Sequence, residues 1–320
     1  MDISKPNFMS STHPVIVGLG EVLWDFLPAG KQLGGAPANF AHAAALLGDE
    51  GIVASRIGTD GLGDELISKL AEVSLSNDNL QRDSTHSTGA VKVSLDPKGQ
   101  ATFEIVQAVA WDFLEWTPNW HILAQRADAV CFGSLAQRAP QSRDTIRRFL
   151  SAMRSDSIRV FDVNLRQTFF SAEVLNESLK LANVAKLNDA ELPVVANVLG
   201  LQHGNVQSTA RKLLDCYELD LLCVTKGESG SLMISAAQSD DHPGFKVQVA
   251  DTVGAGDAFT AGLVHQYLRK ASISEINDLA NRLGAWVSSQ RGGMPTPSGN
   301  LKDILSRLRL QTRDSGIQAP

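Results

Sequence analysis

Six short apolar runs, separated by longer stretches of helical character, constrain this chain more than any other feature. They are VIVGLGEVL (15–23), GIVASRIG (51–58), AVCFGSL (129–135), IRVFDVNL (158–165), VAKLN (184–188) and LDLLCVT (219–225). Runs of this kind, bounded by turn residues and spaced by segments such as ANFAHAAALLG (38–48), read as parallel strands of an α/β sheet covered on both faces. A chain of 320 residues with 43% hydrophobic content has the material for such a core, as one large domain or two ordinary ones.

One stretch breaks the rhythm. TGAVKVSLDPKGQATFEIVQAVAW (88–111) alternates with period 2 on either side of DPKGQ, which is a hairpin pattern. Antiparallel strands outside the main sheet are expected there, with WDFLPAGKQLGG (24–35) positioned to pair with them. A small sheet of that kind would close over a ligand at the carboxyl edge of the large one, where open α/β folds bind ligands. The alternative is an antiparallel extension of the core sheet. The expected division is a body of 14–23, 35–86 and 113–310, a β-sheet lid of 24–34 and 87–112, and loose termini at 1–13 and 311–320.

The formal charge is −6 and no run of five or six like charges occurs, so nothing attracts a polyanion and nucleic acid is not an expected partner. Cys131, Cys216 and Cys223 form no C-x-x-C pair and read as buried thiols, neither a disulfide framework nor a zinc site. The opening MDISKPNFMSSTHP has no basic region followed by an apolar core, and no stretch reaches the roughly 18 apolar residues of a membrane span. A soluble cytoplasmic protein is expected.

Chemistry concentrates in DTVGAGDAFTAGLVHQYL (251–268). Gly254, Ala255 and Gly256 precede a helix-like run, so their backbone N–H groups would form an anion site at a helix N-terminus. Glycine there lets a phosphate approach the backbone closely. Asp257 falls in the first helical turn, where the macrodipole favours its ionised form and a depressed pKa is expected. An ionised carboxylate beside an anion hole suits phosphoryl transfer, which depends on positioning and charge stabilisation; a plain capped helix start is the alternative. Competing motifs fail on spacing. No G-x-x-x-x-G-K-[ST] exists, Gly18-Leu19-Gly20 lacks the third glycine of a dinucleotide fingerprint, and neither G-x-S-x-G nor H-E-x-x-H occurs.

DTVGAGDAF resembles the C-terminal signature of the ribokinase-like (PfkB-type) carbohydrate kinases, and GGAPANFAHAAALLG (34–48) resembles their N-terminal one. VFDVNLR (160–166), KLNDAE (186–191) and VTKGESG (224–230) match the landmarks between, in order. The resemblance covers nearly the whole chain and implies a three-layer α/β/α body with a mostly parallel sheet and a small β-sheet lid. It makes Asp257 the catalytic base and the amides of Gly254, Ala255 and Gly256 the anion hole. Asp25, Gly35 and Asn39 would hold sugar hydroxyls, a task that carboxylates and amides suit; by residue type alone Asp25 is equally a turn residue and Asn39 a helix cap. Arg166 would reach substrate or γ-phosphate.

The same resemblance gives Asn188 and Glu191 to magnesium and phosphate through bound waters, in keeping with the few protein ligands Mg²⁺ takes. Thr225, Lys226 and Gly227 would line the phosphate and ribose side of ATP, and Asn281 the adenine. A monovalent cation, K⁺, would sit by Asp251, Val253, Val287, Gln290, Gly292 and Thr296, mostly on backbone carbonyls. Ala36 and Pro37 are similar to bacterial fructokinases rather than ribokinases, which place a lysine after the paired glycines. Trp111 would stack on a sugar face or pack within the lid. The function implied is ATP-dependent phosphorylation of fructose to fructose 6-phosphate, with 2-keto-3-deoxygluconate or another sugar or nucleoside as alternatives, and a homodimer through the lid. A sugar-binding protein without catalysis is the rival from another class.

Overall fold

The computed structural model describes residues 13–27, 30–95, 101–202 and 204–310. The expected loose termini, apart from residue 13, and the turn DPKGQ lie outside the described residues. In chain order the strands are β1 (Val15–Leu19), β2 (Leu23–Leu27), β3 (Gly30–Gly34), β4 (Glu50–Gly58), β5 (Leu80–Asp83), β6 (Gly89–Leu95), β7 (Ala101–Ile105), β8 (Ala129–Gly133), β9 (Ile158–Asp162), β10 (Val184–Asn188), β11 (Leu221–Thr225), β12 (Ser231–Ile234), β13 (Ser239–His242), β14 (Phe245–Lys246) and β15 (Arg309–Leu310). The helices are α1 (Ala36–Leu46), α2 (Gly61–Glu72), α3 (Pro118–Arg126), α4 (Pro140–Ala152), α5 (Ala172–Leu181), α6 (Glu191–Val198), α7 (Val206–Cys216), α8 (Ala255–Leu268), α9 (Ile273–Ser288) and α10 (Leu301–Ser306).

Nine strands form the main sheet in the order β13-β12-β11-β10-β9-β8-β1-β4-β5. The six apolar runs of the sequence are the six consecutive strands from β11 to β4, all parallel, while β12 and β13 pair antiparallel at one edge. Alternation along β1 shows how the sheet is buried twice. Val15, Val17 and Leu19 face a core shared with Trp120, Phe149, Leu175, Leu192 and Leu213, which belong to α3–α7. Ile16 faces the other core, with Phe40 of α1, Phe259 of α8 and Leu283 of α9. Period 2 in a parallel strand thus feeds two helical layers.

The second sheet, β3-β2-β6-β7, is the small one expected from the hairpin pattern. β6 and β7 are antiparallel, as are β2 and β3, but β2 and β6 run parallel, Leu23 opposite Gly89. The reason lies in the body: β2 follows β1 and β6 follows β5, two strands of the same direction. Trp111 does not belong to this sheet. It lies in a 3-10 turn, Ala110–Phe113, fully buried in the main core. Cys131 and Cys223 are buried as expected, whereas Cys216, at the end of α7, is exposed. Among the described residues no helix is long and apolar enough to cross a membrane.

Candidate active site

The site gathers at the carboxyl edge of the sheet around the start of α8. Gly254 caps that helix with φ 76°, and a Cβ there would stand 2.5 Å from the backbone of Gly293, so both the dihedral and the packing require glycine. Asp257 follows in the first turn, its carboxylate accepting from Asn39 Nδ2 at 2.8 Å. Asn39 lies in the first turn of α1, whose N-cap is Gly35 at φ 109°; a Cβ at Gly35 would stand 2.5 Å from the carbonyl of Glu21. Packing of α1 on α8 therefore joins the two glycine-rich segments in one site.

The expectation of a depressed Asp257 pKa is corrected. Burial raises it, and neighbouring Asp162 raises it further; the Asn39 hydrogen bond, Lys186 and Arg166 pull the other way, and the result is about 6. Desolvation in this crowded site outweighs the helix dipole. Asp25 on β2 behaves alike: burial lifts it to about 6 against the pull of Arg166, with Asp251 adding to the rise. Glu21, 3% exposed, reaches about 7 through burial, with Asp257 adding to the rise and Arg166 and Arg138 opposing it. Arg166 is exposed, donates to the carbonyl of Leu165 at 3.1 Å, and exerts its charge on Glu21, Asp25 and Asp257 together.

Lys186 was not singled out by the sequence, yet it reaches the glycine turn at the start of α8: a Cβ on Gly256 would be 3.0 Å from its Nζ. It projects from β10 and sits 3.1 Å from both oxygens of Asp162 on β9, while Thr260 of α8 donates to Asp162 at 3.0 Å. Burial alone would lower the Lys186 pKa, but Asp162, Asp257 and Glu191 hold it well above its ordinary value. A lysine or aspartate inside an apolar strand was the available signal, since such charges are buried only when paired.

Beside α8 lies a cavity of about 320 Å³. Phe245, Val247, Val249 and Phe259 give it apolar walls, Gly284 and Ala285 a low floor, Ala255 and Gly256 a mouth at the start of α8, and Asn188, Thr225, Gly227 and Asn281 its polar points. Size, apolar walls and a helix N-terminus at one end fit a purine nucleotide with its phosphates on the turn. Asn281 donates through Nδ2 to Ser231 Oγ (2.7 Å) and to the carbonyl of Asn277 (2.8 Å). Lys226 is not among the lining residues; its ammonium pairs with Asp241 of β13. A crevice of about 360 Å³ at the amino edge of β4, near Glu50 and Arg126, is lined by no glycine-rich helix start and is not the candidate.

Glu191 accepts from Leu165 N at 2.7 Å and Asn188 N at 2.9 Å, and Asn188 Oδ1 accepts from Glu191 N at 2.8 Å. The N-x-x-E element is thus first a brace that fixes the ends of β9 and β10 under the site. Asp251 accepts from Val253 N (3.0 Å) and Gly292 N (3.1 Å), tying the loop before α8 to the loop after α9. Val287 is buried, Val253 and Thr296 are exposed, and Gln290 donates to Ser289 Oγ at 2.9 Å. Among the described residues no cluster of three acidic, histidine or cysteine side chains could hold a metal ion. Trp111, expected either against the sugar or within the lid, packs under Gly89 and against the guanidinium of Arg138, 4.0 Å away.

Known proteins resemble the chain in sequence and fold. The chain is 31% identical over 294 residues to a fructokinase of Salmonella typhimurium, covering 86% of this chain and 94% of that one. Fructokinase with bound ATP from Xylella fastidiosa superposes with a TM-score of 0.78 at 26% identity, covering 92% of this chain and 97% of that chain. Fructokinase from Vibrio cholerae O395, in its fructose, ADP and calcium ion bound form, does so with 0.77 at 25% identity, covering 93% and 99%. The model of the pfkB family carbohydrate kinases matches residues 29–298, and with a ribokinase-like fold the chain belongs to that family of sugar kinases.

Proposed function

We propose that the chain transfers the γ-phosphoryl group of ATP to the 6-hydroxyl of fructose. The observation that carries this reading is the meeting of Asp257, oriented by Asn39, with the amides of Gly254, Ala255 and Gly256 at the mouth of the nucleotide-sized cavity. The sugar hydroxyl gives its proton to the Asp257 carboxylate as its oxygen bonds to the γ-phosphorus. The bond from that phosphorus to the β,γ-bridging oxygen breaks, and its electron pair leaves with ADP. The anion turn, Lys186 and Arg166 hold the charge that spreads over the phosphoryl oxygens.

Asp25 and the Gly35 turn take sugar hydroxyls, and Asn39 serves both the sugar and the base. Thr225, Gly227, Asn188 and Asn281 hold the nucleotide. Magnesium, bound to the phosphates and to water near Asn188 and Glu191, would neutralise phosphate charge; K⁺ would sit between the loops that Asp251 joins. Fructose as acceptor rests on the relatives named fructokinase and on the Ala36-Pro37 pair of α1. A homodimer through the small sheet belongs to the same reading. ADP release, measured over ketoses, aldoses, keto-deoxy acids and nucleosides, tests it: fructose should give the highest kcat/KM, and a preference for 2-keto-3-deoxygluconate or a nucleoside would replace fructose.

A further inference from the structure

The register of the small sheet sets four side chains in one row. Gln32 of β3 stands opposite Asp25 of β2, Asp25 opposite Val91 of β6, and Val91 opposite Ile105 of β7, so all four lie on the same face. Val91 and Ile105 are buried in the main core with Leu23 and Trp111, which turns that face toward the body. The row changes character halfway. Val91 and Ile105 are apolar and buried, whereas Asp25 and Gln32 are polar and half-buried. A sheet face that packs on protein is apolar, so two polar positions in such a row mark the part of the face that is built for something else. Among the described residues neither the Asp25 carboxylate nor the Gln32 amide makes a hydrogen bond.

Distances place both side chains between the small sheet and the body. A Cβ on Gly34 would stand 2.2 Å from Asp25 Oδ2, so the carboxylate fills the room that this glycine leaves, next to the Gly35 turn. A Cβ on Gly292 would stand 3.7 Å from Gln32 Oε1, so the amide reaches over to the loop after α9, where Gly292 N donates to Asp251. Residues directly opposite on antiparallel strands have Cβ atoms about 4.5–5.5 Å apart, close enough for their polar tips to serve neighbouring groups of one ligand. An ionised carboxylate only accepts, while an amide donates through its nitrogen and accepts through its oxygen. Adjacent hydroxyls of a sugar answer both, one donating to the carboxylate and the next bonding the amide. We propose that Gln32 is a specificity-determining residue of the sugar site, its amide bonding the hydroxyl next to the one that Asp25 holds. The inference rests on the sugar-kinase reading, in which Asp25 takes a sugar hydroxyl. Neither Gln32 nor Asp25 lines the nucleotide cavity, so the contact acts on the sugar and not on ATP.

The test sets wild type, Gln32→Leu and Gln32→Ala against the accepted sugar and its monodeoxy analogues, each keeping the phosphorylated hydroxyl and lacking one of the others. In the wild type, loss of the hydroxyl that Gln32 bonds should cost about three- to tenfold in kcat/KM, the range for a neutral hydrogen bond. Gln32→Leu should lose a similar factor on the parent sugar, mainly as a rise in KM, and should lose nothing further on that one analogue. ATP should bind the variant with wild-type affinity in a calorimetric titration. Gln32→Ala repeats the comparison without the bulk of leucine. The proposal is overturned if both variants handle the parent sugar as the wild type does, or if ATP affinity falls along with that for the sugar. It is equally overturned if the loss spreads evenly over every analogue, the mark of a residue that only seats the small sheet on the loop at Gly292. A wild type whose ADP release no sugar stimulates would instead refute the kinase reading, and the Gln32 contact with it.

Discussion

Asp257 is pulled two ways, by a helix N-terminus that favours its charge and by burial beside Asp162 that opposes it. Burial wins, and a carboxylate poised near 6 is a better proton acceptor at neutral pH than a solvated aspartate, while remaining mostly ionised. Only the ionised form can take the sugar proton. Turnover should therefore be flat above neutrality and fall as pH drops through about 6, with kcat/KM followed from pH 8 to 5; a profile still level at pH 5 would remove the assignment. Asp257→Asn should lower kcat by about a hundredfold or more with an unchanged circular dichroism spectrum. Asp257 and Asn39 could be named as candidates because each stands close to a glycine-rich segment, whereas Asp25 came only through the family resemblance. Glu21 and Lys186 were not, since a charge within VIVGLGEVL or VAKLN reads as a strand end until its burial is known.

At the level of elements, the start of α8 depends on a contact with the loop after α9. Gly254 takes a left-handed dihedral and touches the backbone of Gly293, which cannot move aside as a side-chain tip could. Gly254→Ala should lose about 1–2 kcal/mol from the dihedral alone, with the clash in addition, and the displaced amides should weaken ATP in a calorimetric titration by about tenfold or more. Unchanged ATP affinity in that variant would mean that the turn does not grip phosphate. The hairpin of β6 and β7 was legible from period-2 alternation. The parallel pairing of β2 with β6 was not, because it is set by the directions of β1 and β5 in the other sheet.

Across the whole molecule, strand identity was readable for the six apolar runs, but their order was not, since local pattern carries no information about crossovers. Strands β5, β12 and β13, at the two ends of the main sheet, escaped for a different reason: LQRD, SLMI and SDDH are too short or too polar to announce themselves. On the small sheet Phe26 is 37% exposed, an apolar side chain that a second copy would cover. Light scattering should give twice the chain mass, with Phe26→Asp shifting it to a single chain; a wild type of single-chain mass would refute the dimer. The small sheet is also strung on four short connections: β1 to β2, β3 to α1, β5 to β6, and β7 to the turn at Ala110–Phe113. A plate moored by two pairs of cords can tilt about the line of its moorings but can neither slide along the body nor spin free. Tilting about that line is therefore the one rigid-body motion that these connections leave open to the small sheet.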